Sequence, residues 1–372
     1  MPGSGRWTPA CPPARSSAFR SRWSCRRRRR GPCACGPDVR PDFALSAGGA
    51  DVTDRIRPLL VELRVTESID RTSDQVEITL ADTAGDLAVP RSGRELKVSM
   101  GYDGALAEMG TFAHTESQID LAPRVVRIRG TAADFRADSA LKAPRTRSWD
   151  EVTLGGVVSQ IAGEHGYQAA VSESLASEAI AHIDQTAESD LHLVRRLAAH
   201  YGASAKAAGN RLVLVKSGEP APESASGSDM PNVRIQAPPA SPDALPTITG
   251  RVTRTDKSRY GAVRASYNDV EAAELAHVLA GAGMPVYELR NPRPDRAQAL
   301  ADAKAKLASL TRQTRSLTLT VPGDPQLSAG GQVTTVGWGD GADDTWQITR
   351  VEHTLKDDGY RTRVEAEGLS AP

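Results

Sequence analysis

The sequence predicts a β-rich α+β fold in which two antiparallel β regions flank a small α/β unit. In the first and last thirds of the 372-residue chain, apolar and polar residues alternate along short runs, as in strands with one exposed face. Between Ser148 and Gly218 the apolar period changes to that of amphipathic helices. Glycine and proline are frequent, at 32 and 24 residues, and aromatic residues make up only 4%. This composition favours short strands joined by many turns over a helical bundle.

These changes of pattern divide the chain into five predicted segments. In chain order they are a basic, disordered extension (1–40), a first β-barrel-like domain (41–145), a small α/β domain (146–217), a linker rich in proline and serine (218–246) and a second β-barrel-like domain with one helix (247–372). Several short strands at this spacing are typical of a barrel or a sandwich. No apolar run approaches the roughly 18 residues that a membrane-spanning helix needs, so we expect no membrane partner.

The first β region contains four runs with the period of a half-buried strand. Because side chains alternate between the two faces of a strand, each run presents one apolar row. We expect these rows to form the core of this region. The rows are Val61, Leu63 and Val65; Val76, Ile78 and Leu80; Leu96, Val98 and Met100; and Val126 and Ile128.

Two helices are predicted in the α/β unit, each with its own boundary signals. Thr153 is placed to cap the first helix, whose apolar stripe runs from Leu154 to Ile161 and which ends near Gly166. Gly202 stands where the second helix requires a left-handed cap. The stripe of this second helix consists of Leu191, Val194, Leu197, Ala198 and Tyr201.

The last third is β-rich again and contains one predicted helix, from Arg296 to Thr311. A hairpin that turns at Asp357–Gly359 closes the region. The apolar stripe of the helix is predicted to consist of Ala297, Leu300, the stem of Lys304, Leu307 and Leu310.

The first forty residues differ in charge and composition from the rest of the chain. They hold ten arginines and one acid, a net charge of +9, so residues 41–372 carry −9 because the whole chain balances at 46 basic and 46 acidic residues. All four cysteines also lie in this segment, which leaves a body without disulfides or thiolate metal sites. We interpret the segment as disordered upstream sequence from a start site assigned too early, with Val39 as a candidate start. A transit peptide and a basic arm for nucleic acid are the alternatives.

Motifs that carry chemistry are weak or missing. Residues 41–372 contain no phosphate-binding glycine loop, serine-hydrolase elbow or zinc-protease motif. His192 and His200 are eight residues apart, whereas metal-binding pairs on a helix are more often four apart. Adjacent acids such as Asp150 and Glu151 more often serve a helix N-terminus than catalysis. The acidic, glycine-rich loop Gly337–Asp344 lacks the ligand pattern of a calcium loop, so we expect a turn that connects two strands there. The sequence therefore predicts no catalytic, cofactor-binding or metal-binding residue, and no cofactor.

Two stretches of the α/β unit carry a resemblance to a known family. LKAPRTRSWDEVTLGGVVSQIAGEHG and HIDQTAESDLHLVRRLAAHYGA, in this order, resemble the late control D family of contractile-tailed phages. The resemblance extends from about Pro41 to Gly368. That family forms the baseplate hub and is related to the hub region of type VI secretion spike proteins. The resemblance implies that the two β regions are tube-like barrels and that three copies form a ring.

The same resemblance marks a short stretch as a possible interface. Arg145, Arg147 and Trp149 lie in RTRSW, which matches the wording of the family. The resemblance therefore makes these three residues interface candidates. A solvated connector with one buried tryptophan is the alternative interpretation.

The function implied by the resemblance is that of a structural baseplate hub, without enzymatic activity. Such a hub joins the tail tube to the central spike as a homotrimer, in a phage, a prophage or a phage-derived injection device. The implied partners are further copies of the chain, the tail spike protein, the tail tube protein and the tape measure protein. The implied location is the virion baseplate, after assembly in the cytoplasm of the host bacterium.

Two other functions are alternatives to the hub. A hub-associated cell-wall hydrolase requires a cleft with paired acids or a metal site, and no inserted domain of sufficient length is visible in the sequence. A late-gene regulator that binds nucleic acid is suggested by the arginine run. The net charge of −9 on the remaining residues disfavours it, so we expect no specific nucleic-acid partner.

Overall fold

The computed structural model describes residues 39–69, 73–132, 140–208, 211–219, 230, 232–238, 247–255, 259–269 and 272–369. The predictions for residues 1–38 lie outside the described residues. The first β region consists of seven strands, a short helix and a 3₁₀ turn. They are β1 (Pro41–Ala47), β2 (Ala50–Asp51), α1 (Thr53–Ile56), the 3₁₀ turn Arg57–Leu59, β3 (Leu60–Ser68), β4 (Gln75–Ala81), β5 (Glu95–Tyr102), β6 (Ala105–Leu121) and β7 (Arg124–Thr131).

The α/β unit follows with five strands and three helices. Its core is formed by the two longer helices and by strands on either side of them. Its elements are the 3₁₀ turn Ala140–Lys142, β8 (Pro144–Thr153), α2 (Leu154–Glu164), β9 (Gln168–Val171), α3 (Glu173–Ala176), β10 (Ala179–Ser189), α4 (Asp190–His200), β11 (Ala203–Ala208) and β12 (Arg211–Lys216).

Both predicted helices of this unit are confirmed, together with their caps. The hydroxyl of Thr153 accepts a hydrogen bond from the backbone N–H of Gly156 at 3.1 Å, which starts α2. Ser189 caps α4 in the same way, and Gly202 after its end has a φ of +66°. A left-handed residue at this place lets the chain reverse direction without the steric penalty of a side chain.

The last region contains nine strands and one long helix. They are β13 (Asn232–Gln236), β14 (Thr249–Arg254), β15 (Ala262–Asp269), β16 (Glu274–Gly281), β17 (Val286–Glu288), α5 (Arg296–Arg312), β18 (Arg315–Pro322), β19 (Gln332–Val336), β20 (Asp344–Lys356) and β21 (Gly359–Gly368).

The segment 218–246, predicted as a linker, differs from that prediction because it contains β13. This strand pairs in parallel with β19 and buries Ile235 in the last core. The alternating apolar pattern of β13 consists of Val233 and Ile235 alone. In a segment rich in proline and serine, so short a pattern does not predict a strand. Its partner lies about a hundred residues further along the chain, which no local signal reveals.

One sheet of thirteen strands runs through both β regions. They are joined by antiparallel pairing of β3 with β20, in which Val65 lies opposite His353. The predicted β-rich α+β class is confirmed, whereas two tube-like barrels are not. Within the described residues the path of this sheet does not close on itself, and its ends are β2 and β14.

The first core is enclosed by the strands of the first region and completed by the last. Leu63, Val65 and the other predicted rows are buried there, and Leu355 and Tyr360 contribute from β20 and β21. Val61 is the exception, with 44% of its surface exposed. A β-bulge between Leu60 and Glu62 shifts the register there, so the alternation predicted from sequence fails at this residue.

Helix α5 packs on a separate three-stranded sheet with the order β16, β15, β17. Its buried face contains Ala299 and Ala303, whereas Ala297, which was predicted to be buried, is exposed. The face is rotated because α5 also contacts α4, where Asp302 lies 2.5 Å from His200 of that helix. None of the described helices has the length and apolarity to cross a bilayer.

Candidate functional site

The three predicted interface residues lie on β8, where they contact other residues of the α/β unit. The guanidinium of Arg147 lies 2.7 Å from the carboxylate of Asp190 and 2.8 Å from that of Glu164. The guanidinium of Arg145 binds the same Glu164 at 2.6 Å. Arg147 also stacks on Trp149, with its guanidinium carbon 4.4 Å from the ring centre. These contacts attach β8 to the C-terminal end of α2 and the N-terminal end of α4.

Asp190 is the centre of this charged cluster and is completely buried. Burial alone would raise the pKa of its carboxyl group. Hydrogen bonds from His165 and Gln185 and the charges of Arg147 and Arg145 outweigh burial, and the pKa of Asp190 lies below its ordinary value. A buried carboxylate with this many donors is satisfied, so the cluster stabilises the α/β unit.

The interface role of Arg145, Arg147 and Trp149 therefore stays a prediction. Trp149 is buried in the core of the unit, which agrees with the alternative of one buried tryptophan. Arg145 retains 37% exposure of its side chain and Arg147 retains 23%. The sequence alone does not reveal that Asp190 and Glu164 pair with these arginines. The two acids lie on different helices, 43 and 17 residues from Arg147.

Glu164, His165 and Asp190 also have the composition of a metal site, since one ligand atom from each lies within 4.8 Å of the others. Two guanidinium groups already neutralise the carboxylates. A divalent cation would have to displace them against their positive charge, so these residues do not favour a metal.

The histidines and acids whose spacing disfavours a metal or catalytic site in the sequence do not lie together in the structure. His200 contacts Asp302, and His192 lies 2.7 Å from Glu188 on the surface of α4. Asp150 is paired with the exposed His182, whose pKa is raised by hydrogen bonds to Asp150 and to a second acid on β10.

The glycine-rich loop 337–344 forms a turn between β19 and β20. Asp343 holds it by accepting hydrogen bonds from the backbone N–H groups of Gly337 and Trp338, at 3.0 and 2.8 Å. The carboxylate that resembled a calcium ligand is thus used to close the loop. This is the strand-connecting turn that the sequence predicts.

A run of eight neighbouring strands crosses both β regions. Its order is β14, β18, β21, β20, β3, β4, β7, β6. One face of these strands covers the two cores, and the other carries polar and charged side chains. Cross-strand ion pairs cover this polar face, including Arg129 with Glu116 at 3.2 Å and Lys356 with Glu62 at 3.4 Å. The second pair crosses the joint between β20 and β3.

Both ends of this run are open strand edges in the described part of the chain. β6 pairs with β5 only as far as Ala113, so residues 115–121 have β7 on one side and no strand on the other. Ile119 and Leu121 extend the apolar face of the sheet here, and Leu121 is 82% exposed. At the opposite end, β14 pairs only with β18.

The backbone of β14 has donors that point away from the sheet. Thr255 donates its N–H to the carbonyl of Thr314 at 2.8 Å. Because donors alternate along an antiparallel strand, the N–H groups of Val252 and Arg254 point outward. Unpaired edges of this length are templates for pairing with another chain. These two edges are the best candidate functional site of the molecule.

Open strand edges can pair with a further chain, and comparison with known proteins identifies the class of this protein. Residues 60–359 match the family described as phage tail baseplate hub (GPD). The match covers well over half of the chain. The chain therefore belongs to the phage tail baseplate hub family, and the resemblance found in its sequence is confirmed.

Individual relatives agree with this assignment. The chain is 29% identical to the probable baseplate hub protein of Escherichia phage 186, over 89% of this chain and 94% of the relative. Its fold is similar to the 43 kDa tail protein of prophage MuSo2 from Shewanella oneidensis, with a TM-score of 0.64, 14% identity and coverage of 88% and 98%. It is also similar to the E. coli c3393 protein, a type VI secretion component, with a TM-score of 0.50, 14% identity and coverage of 88% and 77%.

Proposed function

We propose that this baseplate hub protein acts as a homotrimer that joins the tail tube to the central spike. The observation that carries the proposal is the eight-stranded run with an open edge at each end. If β14 of one copy pairs with residues 115–121 of β6 in the next copy, the run continues from chain to chain. Three copies would then close a ring of twenty-four strands, in which the two open edges of each eight-stranded run are paired.

Such an interface joins two different surfaces of the chain. Head-to-tail contacts of this kind produce closed rings when the rotation between copies fits. The exposed Leu121 and Ile119 would be covered, which accounts for apolar side chains at a sheet edge. The polar face with its ion pairs would line the central passage, where contact with water suits charged groups.

The two β regions within one chain support a change of symmetry. Because β3 and β20 join them inside the chain, each copy presents two similar β regions around the ring. Three copies would present six β regions to a tube with six-fold symmetry. They would present three α/β units, one from each copy, to a spike with three-fold symmetry. The partners would be the tube protein, the spike protein and the tape measure protein.

The location and chemistry follow from this role. The protein would reside in the virion baseplate after assembly in the host cytoplasm, and it would act without a cofactor. A cell-wall hydrolase is the second candidate of the sequence, but the carboxylates of the cluster Glu164, His165 and Asp190 are neutralised by Arg145 and Arg147. A nucleic-acid-binding regulator is disfavoured by the acidic body.

The proposal is tested by the molar mass of the full chain, alone and with its cognate spike protein. We expect a trimer, at least with the spike present. Arg254→Pro removes an outward N–H of β14 and should yield a folded monomer, whereas Arg254→Ala keeps the N–H and should remain trimeric.

A matched pair of variants tests the other edge. Leu121→Asp should also prevent assembly, while Met284→Asp should not, because Met284 is equally exposed at 83% but lies outside the eight-stranded run. A wild-type chain that stays monomeric at high concentration with its spike protein would refute the proposed trimer.

A further inference from the structure

A cluster of three buried ionisable residues lies where all three regions of the chain meet. Glu67 comes from β3, Asp74 from the residue before β4 and Lys206 from β11 of the α/β unit. Their exposures are 5%, 2% and 8%. Charged side chains are seldom buried to this degree unless they are paired. Three such residues contributed by distant parts of the chain therefore require a specific explanation.

The hydrogen bonds of the cluster connect these regions directly. The ammonium of Lys206 lies 3.0 Å from each carboxylate oxygen of Asp74. Asp74 also accepts the backbone N–H of Ser68 at 3.0 Å. Glu67 accepts the backbone N–H of Ala329, which belongs to the buried loop between β18 and β19, at 3.2 Å. The α/β unit is thus bound to the first β region by Lys206, and the last region is bound by Glu67.

The charges of the cluster do not balance when every group is ionised, because two carboxylates share one ammonium. Burial raises the pKa of Glu67 most strongly, the nearby Asp74 carboxylate raises it further, and Lys206 and the bonds from Ala329 and Ser328 offset this only in part. The result is a pKa of about 7. Tyr360 of β21 also faces Glu67. Burial raises the pKa of its phenol and the Glu67 carboxylate raises it further, so the phenol stays neutral and adds no charge to the cluster.

We propose that Glu67, Asp74 and Lys206 form a proton-operated latch that holds the α/β unit against the first β region. With a proton on Glu67, the cluster is neutral, and the Lys206–Asp74 pair closes the contact. Without that proton, the cluster contains an excess negative charge that one ammonium does not compensate. Opening the contact hydrates the carboxylates, so release of the proton favours an α/β unit that is less firmly held.

The direction of the pH effect follows from the two pKa values. The ordinary value for Glu67 is 4.5 and its value in the folded protein is about 7, so the folded state retains a proton that the unfolded state has lost. Stability contributed by that proton is complete below pH 4.5 and is lost as the pH rises through about 7. A single proton changes an opening equilibrium by at most about tenfold per pH unit.

The latch can be tested by hydrogen exchange of the full chain between pH 5 and pH 8.5, followed in peptides that cover β11 and the start of β4. After correction for the intrinsic pH dependence of exchange, the wild-type opening constant should rise by at most about tenfold per pH unit up to about pH 7 and level off above it. Glu67→Gln should remove this rise and give slower exchange than wild type at pH 8.5. Glu62→Gln on the solvent side of the same strand is the matched control and should keep the wild-type pH dependence.

A purely structural role predicts a different result. If Glu67 only filled space and accepted the bond from Ala329, Glu67→Gln would keep both properties, and the variant and the wild type would show the same pH dependence of exchange. That outcome would overturn the latch. A wild-type exchange profile without the rise would overturn it equally. Lys206→Met leaves two acids without a cation and should open the contact even at pH 6. Restoring that protection in the triple variant Glu67→Gln, Asp74→Asn, Lys206→Met would show that charge controls the contact, and a failure to restore it would overturn the proposal.

Discussion

The first and last β regions follow the same two-residue pattern, yet they fill their cores differently. The inward rows of β4 and β5 in the first core are apolar throughout. The inward rows of β19 and β20 in the last region include polar groups. The indole N–H of Trp346 donates to the hydroxyl of Thr335 at 2.9 Å, and His353 is bonded on both sides of its ring. Apolar alternation alone can specify the rows of β4 and β5, whereas those of β19 and β20 also depend on matched donors and acceptors.

The largest expected loss of unfolding free energy is the same for both cores and comes from removing a buried aromatic side chain. Phe112→Ala and Trp346→Ala each remove a fully buried aromatic side chain. Each should lower the free energy of unfolding by about 3–5 kcal/mol, because the cavity is only partly refilled. Denaturant titration of both variants checks this. A loss below about 1 kcal/mol for either would contradict its assignment to the core.

A pH effect should separate the two regions next. His353 is completely buried in the last region, and burial lowers its pKa from 6.5 to about 4. The unfolded chain binds a proton in this interval that the folded protein does not, so the stability contributed by His353 should fall as the pH drops from 6.5 towards 4, whereas protonation of Glu67 acts in the opposite direction. The slope contributed is at most about 1.4 kcal/mol per pH unit.

Variants identify the source of that slope. His353→Gln retains a donor for the carbonyl of Leu327 but does not titrate, so its unfolding free energy relative to that of the wild type should rise as the pH drops from 6.5 to 4. His192→Gln replaces a histidine that is 71% exposed and should leave the dependence unchanged. Equal pH profiles for wild type and His353→Gln would refute the assignment.

A smaller effect tests the polar partners of the last core. Thr335→Val preserves shape but leaves the buried indole N–H of Trp346 without its acceptor. We expect a loss of about 1–3 kcal/mol in unfolding free energy. Thr334→Val, at the partly exposed neighbouring position, is the control and should cost less. If the two variants are equally stable, the polar bond contributes little and the two cores are more alike than we infer.

The smallest effect is expected in the first region, at the bulge. Val61 belongs to an apolar row by sequence, but it is 44% exposed. Val61→Thr should change the unfolding free energy by no more than about 0.5 kcal/mol. Val65→Thr, in the buried part of the same row, should cost clearly more because it buries a hydroxyl. Thermal and denaturant unfolding of this pair distinguish the bulged register from an uninterrupted strand.

Local signals explain which parts of the structure could be predicted. Thr153 and Gly202 define helix ends through contacts within a few residues, and the sequence predicts both helices correctly. β13, the joint between β3 and β20 and the partners of Asp190 depend on residues far apart in the chain. The candidate site likewise depends on residues that are far apart in the chain. A strand edge is open only in relation to the pairing of all the other strands. For this reason no local motif in β6 or β14 predicts the candidate site.

The joint between β3 and β20 also has a consequence for how the chain is made. Val65 cannot pair with His353 before that residue has been synthesised, and the first core is incomplete until Leu355 and Tyr360 follow. At roughly 5–20 residues per second, a ribosome needs on the order of 15–60 s to cover that distance. Throughout this time β3 emerges as an apolar strand with an unpaired edge. The nascent first region is therefore a ready substrate for chaperones, and truncation near the C-terminus should damage the N-terminal third as much as the region it removes.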